Sequence, residues 1–286
     1  MQYPLLLILV KVTIFSMMLA IGINISFDQM LCSWRKPALL FRSLLAVIVL
    51  VPLVVFILLK LFNLPISVMM GLIFLAISPG APLMTKRVQI SGAKLHNSAS
   101  LQLTLALLAV IIAPVTLNIF SAVFPNIPEK ISILKVAQQI TEVQFIPVIL
   151  GLLLQKFAAK YAGLIAQPLN FIANTLFLIL IFLVGILGLP LIFKVWGLPM
   201  VAILIMIIIS LTIGHILGGP DEEQRSILAI SSIARNVGLA LFISVLNDVQ
   251  KIVIPTLLAY SILGALLGIP YSIWCKRKLA LRSKES

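Results

Sequence analysis

Ile77-Ser78-Pro79-Gly80-Ala81-Pro82 lies inside one apolar run, roughly residues 66–92, and Ile230-Ser231-Ser232-Ile233-Ala234-Arg235-Asn236-Val237-Gly238 lies inside another, roughly 223–247. The first stretch cannot form an ordinary helical turn. Its two prolines remove backbone donors, and its glycine permits angles that other residues avoid. The second sets two serines, an arginine and an asparagine among residues that are otherwise apolar. An arginine at the centre of a membrane helix costs about 2.5–3.5 kcal/mol on insertion scales unless it meets a cavity or a partner. Both stretches therefore read as interrupted helices.

Their surroundings set the class. Of the 286 residues, 62% are hydrophobic and only 10% charged, against about 45–50% and about 25% in soluble domains. One soluble core does not hide such a surplus, so a soluble globular protein, a disordered chain and a nucleic-acid-binding module are excluded. The net charge of +13, from 21 Lys and Arg against 8 Asp and Glu, would ordinarily point to nucleic acid. Here the surplus sits in short hinges between apolar runs, as membrane topology requires. Two cysteines, Cys32 and Cys275, support neither a disulfide framework nor a metal site. The N-terminus lacks a basic region ahead of its apolar stretch, which Lys11 interrupts, and this argues against a cleaved signal peptide.

An apolar stretch of about 20 residues spans the hydrocarbon core as a helix. Nine qualify, at roughly 4–25, 38–61, 66–92, 97–123, 133–156, 168–189, 196–218, 223–247 and 249–275. Runs such as Val201–Leu211 do not alternate, which excludes barrel strands. The expected fold is an all-α polytopic membrane protein, one transmembrane domain over residues 1–286 with a basic tail at 276–286. Hinges on the N-terminal side carry Lys60, Lys130, Lys135, Lys194 and Lys251. The other side carries Arg35, Lys36, Arg42, Lys86, Arg87, Lys94, Lys156, Lys160, Arg225, Lys276, Arg277, Lys278, Arg282 and Lys284. Lys and Arg accumulate inside, so the C-terminus is expected in the cytoplasm of a bacterial cell and the N-terminus outside its inner membrane. The bilayer is then the main partner, with the protein a monomer or weak homo-oligomer.

The two interruptions correspond. Each falls in the third member of a four-span group, spans 1–4 (about 4–123) and spans 6–9 (about 168–275), with span 5 (about 133–156) unpaired between them. Each is followed by a span containing a proline, Pro114 or Pro255. Third and eighth spans differ by an odd number, so the groups face opposite ways. Inverted repeats with matching broken helices point to a secondary transporter with its site at the breaks. Pro and Gly kinks, common in membrane helices, are the plainer alternative.

Several stretches carry a family resemblance: Met18-Leu19-Ala20-Ile21-Gly22-Ile23-Asn24-Ile25, Ser78-Pro79-Gly80-Ala81-Pro82, Ala113-Pro114, Ile146-Pro147-Val148-Ile149-Leu150-Gly151 and Arg235-Asn236-Val237-Gly238-Leu239-Ala240. From about Lys11 to Lys276 the chain resembles the bile acid:sodium symporter family. The resemblance implies a core domain in which two unwound helices cross, a flat panel domain, and an organic anion carried in with sodium. At the family's sodium sites the chain departs from the pattern. A Ser-Asn pair after the first break corresponds to Met84 and Thr85, and hydroxyls on the next helix fall near Gln102 and Ala106. The second break's Glu and its Gln-Asn pair correspond to Ser231, Arg235 and Asn236, of which Asn236 alone matches. A guanidinium offers only donors, whereas a hard cation takes oxygen ligands.

The implied substrate is a small organic anion, a carboxylate or sulfonate, bound near Ser78, Pro79, Gly80, Thr85, Ser231, Ser232, Arg235 and Asn236. Arg235 has three readings: a bidentate grip on that anion, a tethered charge standing where relatives hold sodium, or a buried ion pair. Glu142, an acid deep in span 5, could pair with Arg235 or carry a coupled proton. Thr85, Gln102, Ser231, Asn236 and Glu142 are the candidates for cation or proton coupling. Asn97, Ser98 and Ser100 extend the polar patch around Thr85 and Gln102, or cap a helix. Lys86 and Arg87 read as cytoplasmic charges. His96 and His215 have no partners at metal spacing, and no catalytic triad, phosphate loop or dinucleotide fingerprint occurs, so no enzyme and no cofactor is expected. A proton-coupled or uncoupled carrier or exporter, and a non-transporting membrane sensor, are the alternatives.

Overall fold

The computed structural model describes residues 4–124 and 132–285; Lys130, counted above among the hinge charges, lies outside them. Helices account for nearly all of it, and no strand occurs among the described residues. In chain order they are α1 (Pro4–Asn24), α2 (Phe27–Met30), α3 (Pro37–Leu44), α4 (Val51–Leu61), α5 (Ile66–Ala76), α6 (Met84–Ile90), α7 (Leu95–Val123) and α8 (Ile133–Ile140). There follow α9 (Ile146–Phe157), α10 (Ala159–Gly188), α11 (Leu198–Leu217), α12 (Glu222–Ile233), α13 (Val237–Leu246) and α14 (Gln250–Glu285). Among the described residues eight helical stretches are long and apolar enough to cross a membrane, with α5 a shorter apolar helix beside them.

Two wide π-helical turns, Leu45–Leu50 and Thr141–Phe145, join α3 to α4 and α8 to α9. Each ends just before a proline, Pro52 and Pro147. Val51 N–H reaches back five residues to Ala46 O, and Ile146 N–H to Thr141 O. The next donor in that register would be the proline nitrogen, which has no hydrogen. The carbonyls of Val47 and Glu142 are thereby left without their five-residue partners.

Both expected interruptions are present. The first helix stops at Ala76 and resumes at Met84; the second stops at Ile233 and resumes at Val237. Gly80 takes a φ of 76°, in the left-handed region open to glycine. The breaks meet and complete one another: Ala81 N–H donates to Ala234 O at 3.2 Å, and Asn236 N–H donates to Ser78 O at 2.8 Å. The Asn236 side chain then accepts from Leu239 N–H at 3.0 Å and starts α13. Each interruption thus donates one backbone hydrogen bond to a carbonyl of the other, as a low-dielectric surrounding favours.

Glycines set the closest helix approaches. A Cβ on Gly22 would lie 2.4 Å from Val148 O, and one on Gly151 would lie 2.5 Å from Leu19 O, so α1 and α9 touch backbone to backbone. Gly214 and Gly218 do the same for α11 against α12. Burial separates centre from rim. Most of the stretch Glu222–Leu246 is buried, whereas most of Ala159–Ile186 is not, placing the broken helix α12–α13 inside and α10 outside.

Two boundaries differ from the sequence reading. The sixth span begins at Ala159 rather than near 168, with Pro168 inside it. Residues 159–167 are helical because the N-terminal extension of an existing helix adds a hydrogen bond per residue without a new nucleus. Similarly the basic stretch from Lys276 continues α14 as helix through Glu285.

Candidate functional site

The joined breaks form one wall of a cavity of about 180 Å³. Ala81, Pro82 and Leu83 come from the first break, Arg235, Asn236, Val237 and Gly238 from the second, and Arg87 from α6. Opposite stand Thr13, Ile14 and Met17 of α1 and Phe177, Leu180, Ile181 and Val184 of α10. A second cavity of about 140 Å³ shares Met17, Pro82 and Leu83 with it. Its lining is the more polar of the two, with Asn24, Thr85, Lys86, Gln102, Asn170 and Asn174 among apolar residues. There Asn24 and Asn170 exchange amide hydrogen bonds at 3.1 and 3.3 Å, and Lys86 Nζ donates to Asn174 Oδ1 at 2.8 Å.

Arg235 is 3% exposed. Its Nε donates to Leu75 O at 2.9 Å, Nη1 to Val47 O at 3.0 Å, and Nη2 to Ala76 O. Two of these acceptors are free for a definite reason. Val47 O is the carbonyl orphaned by Pro52, and Ala76 O has Pro79 three residues on, where a donor would otherwise tighten the last turn of α5. No carboxylate lies within 4 Å of the guanidinium among the described residues.

The buried ion pair with Glu142 is therefore corrected. Glu142 Oε2 lies 2.8 Å from Lys11 Nζ, and both side chains are about half exposed. The π turn carries Glu142 round to α1 and turns Gln144 inward. Gln144 Nε2 donates to Ala106 O at 2.7 Å, and its Oε1 accepts from Asn236 Nδ2 at 3.1 Å.

Among the other candidates, Thr85 and Gln102 line the polar cavity, where Gln102 Nε2 also donates to Pro82 O at 3.0 Å. Ser78, Pro79 and Gly80 are buried behind the wall, and the Ser78 hydroxyl has no hydrogen-bond partner. Ser231 and Ser232 face their own helix, donating to Ile227 O and Leu228 O. Asn97 and Ser100 point elsewhere: Asn97 Nδ2 donates to Glu223 Oε1 at 3.2 Å, and Ser100 Oγ donates to Met30 O at 2.5 Å. Neither caps α7, whose N-cap Lys94 has no side-chain cap bond.

Sequence reasoning missed Arg87, Gln144 and the asparagines of the polar cavity. The spacing of Asn170 and Asn174, one helical turn apart in an apolar run, was the available signal. For Arg87 there was none, since a charge at a helix end reads as solvated. His215 Nδ1 lies 2.7 Å from the Tyr271 hydroxyl, and no group of three metal-ligating side chains occurs among the described residues.

No curated protein matches the chain. A family model does, over residues 11–195, which takes in most of α1, the first break and both proline-terminated π turns. The members of that family are transporters, not enzymes. With an all-helical body of membrane-spanning length and broken helices meeting beside a cavity, the chain belongs to the sodium bile acid symporter family.

Proposed function

We propose that the protein is a secondary carrier that moves a small organic anion, a carboxylate or sulfonate, across a bacterial inner membrane by alternating access. One observation carries this reading. Arg87 and Arg235 line the same small cavity, with Asn236 beside them and the apolar face of α10 opposite. Such a site suits an anion with a compact apolar body, the charge taken by the Arg87 guanidinium, since the Arg235 nitrogens already donate to carbonyls. A volume of about 180 Å³ is below the roughly 300–1,000 Å³ of drug-sized sites, which favours a small substrate.

In this reading the chain crosses the membrane nine times, with α5 and α6 together forming the third crossing. Spans 1–4 and 6–9 are inverted repeats, and the C-terminus is cytoplasmic. The joined breaks belong to a core, while α1, α9 and α10 form a panel against which the core rocks. The cavity between them is where such folds hold substrate.

The test is binding and flux with the purified protein in liposomes, using a panel of small carboxylates and sulfonates. Arg87→Met keeps the apolar stem and removes the charge. It is expected to weaken binding by more than tenfold, since a desolvated charged contact is worth about 2–5 kcal/mol. Absence of both binding and flux across the panel would overturn the reading. Binding without flux under any gradient would make the protein a sensor.

A further inference from the structure

The family's name implies sodium as a coupling ion, and the residues at the breaks do not fit one. A hard cation needs several convergent oxygens. Ser231 Oγ is turned to Ile227 O, Asn236 Oδ1 accepts from Leu239 N–H, and Glu142 pairs with Lys11. Oxygens do converge at one place, the carbonyls of Val47, Leu75 and Ala76, and a guanidinium already lies among them.

We propose that Arg235 is a tethered cation: its guanidinium fills the carbonyl cage at the end of α5 and takes the place of a dissociable alkali ion there. Three features carry this. Two of the three carbonyls are ones that local chemistry leaves unsatisfied, through Pro52 at Val47 and through Pro79 and the helix end at Ala76, while Leu75 O also accepts from Ser78 N–H at 3.2 Å. The last turn of α5 adds the negative end of its dipole, the arrangement that holds alkali ions at half-helix ends in carriers. Finally, the charge meets only neutral oxygens, with no carboxylate within ion-pair distance among the described residues. Carbonyl dipoles solvating a cation without neutralising it is how proteins replace an alkali ion's hydration shell.

The consequence is energetic coupling without an ion. Arg235 ties the π turn before α4, the end of α5 and the start of α13 together at all times. A bound ion would tie them only when present, and its concentration would then enter the substrate affinity. With the cation covalently attached, that dependence is lost. This consequence rests on the carrier reading; the occupancy of the cage does not.

Thermal melting of the purified protein without substrate tests it, in sodium chloride against choline chloride at equal ionic strength. The wild type and Arg235→Lys, which keeps a cation on a flexible stem, are expected to melt at the same temperature in both. Arg235→Gly empties the cage. It is expected to melt lower than wild type in choline and to recover by about 3 °C or more when sodium or methylguanidinium is supplied. Three results would overturn the proposal: a wild type stabilised by sodium over choline, an Arg235→Gly protein that neither cation rescues, or an Arg235→Lys protein as damaged as Arg235→Gly. Should Arg235→Gly yield no folded protein in any medium, the other two proteins decide, and the proposal stands only if both are folded and indifferent to sodium. No substrate enters these measurements, so their failure would leave the anion-carrier reading intact, and absent flux would leave the tethered cation intact.

Discussion

Lys11 and Glu142 form an ion pair at 2.8 Å on the outside of α1, away from the cavity that Arg87 and Arg235 line. In water a half-exposed pair of this kind contributes about 0–1 kcal/mol. In a bilayer each charge stabilises the other against an apolar surrounding, and removing one leaves its partner unpaired. Glu142→Gln alone is therefore expected to lower the melting temperature in lipid. Lys11→Met added to it should restore most of the loss, because no charge is cheaper than an unpaired one. The same double variant separates structure from coupling. Anion flux at the wild-type rate is expected, and its loss would return Glu142 to the role of proton carrier. Arg235 stands differently from this pair, since its three acceptors are backbone carbonyls and none is a side chain.

Among the elements, the π turn at Leu45–Leu50 has the clearest consequence. A proline inside a helix ordinarily costs about 3 kcal/mol, so Pro52→Ala would be expected to stabilise an isolated helix. Here the restored N–H can reach Val47 O, the carbonyl that receives Arg235 Nη1. Closing the helix onto that oxygen takes an acceptor from a buried charge, and hydrogen bonds to charged groups are worth about 1.5–3 kcal/mol. The two effects oppose each other, and Pro52→Ala is expected to melt no higher than wild type. A rise of several degrees would show that Val47 and Arg235 are not coupled through the proline. The turn at Thr141–Phe145 follows the same logic with Pro147, but its product is the inward Gln144, which bridges Ala106 O and Asn236. Both proline-terminated turns thus hold the second break from outside, one at Arg235 and the other at Asn236.

For the whole molecule, the distribution of Lys and Arg predicts the orientation. A reporter joined after Ser286 is expected to read cytoplasmic in a bacterial host, and a periplasmic reading would overturn the nine-crossing arrangement. Much of the architecture was legible in the sequence because its causes are local. A run of about 20 apolar residues makes a membrane helix wherever it occurs, and Pro79, Gly80 and Pro82 interrupt one regardless of what lies nearby. The second break was legible for a related reason, since Arg235 and Asn236 cannot sit against lipid. Two of the stretches that carried the resemblance hold Gly22 and Gly151, and the close contact of α1 with α9 needs glycine at both positions. What the tertiary structure alone decided are the pairings. Arg235 finds carbonyls 159 to 188 residues away, and Glu142 finds Lys11 at a separation of 131. Arg87 comes to line a cavity because packing sets residues of α1 and α10 opposite it. Apolar runs determine that helices form and where they break. The partner that a polar group meets between them is set by packing across the whole chain, since in a medium without water each such group must take whichever acceptor the fold brings within reach.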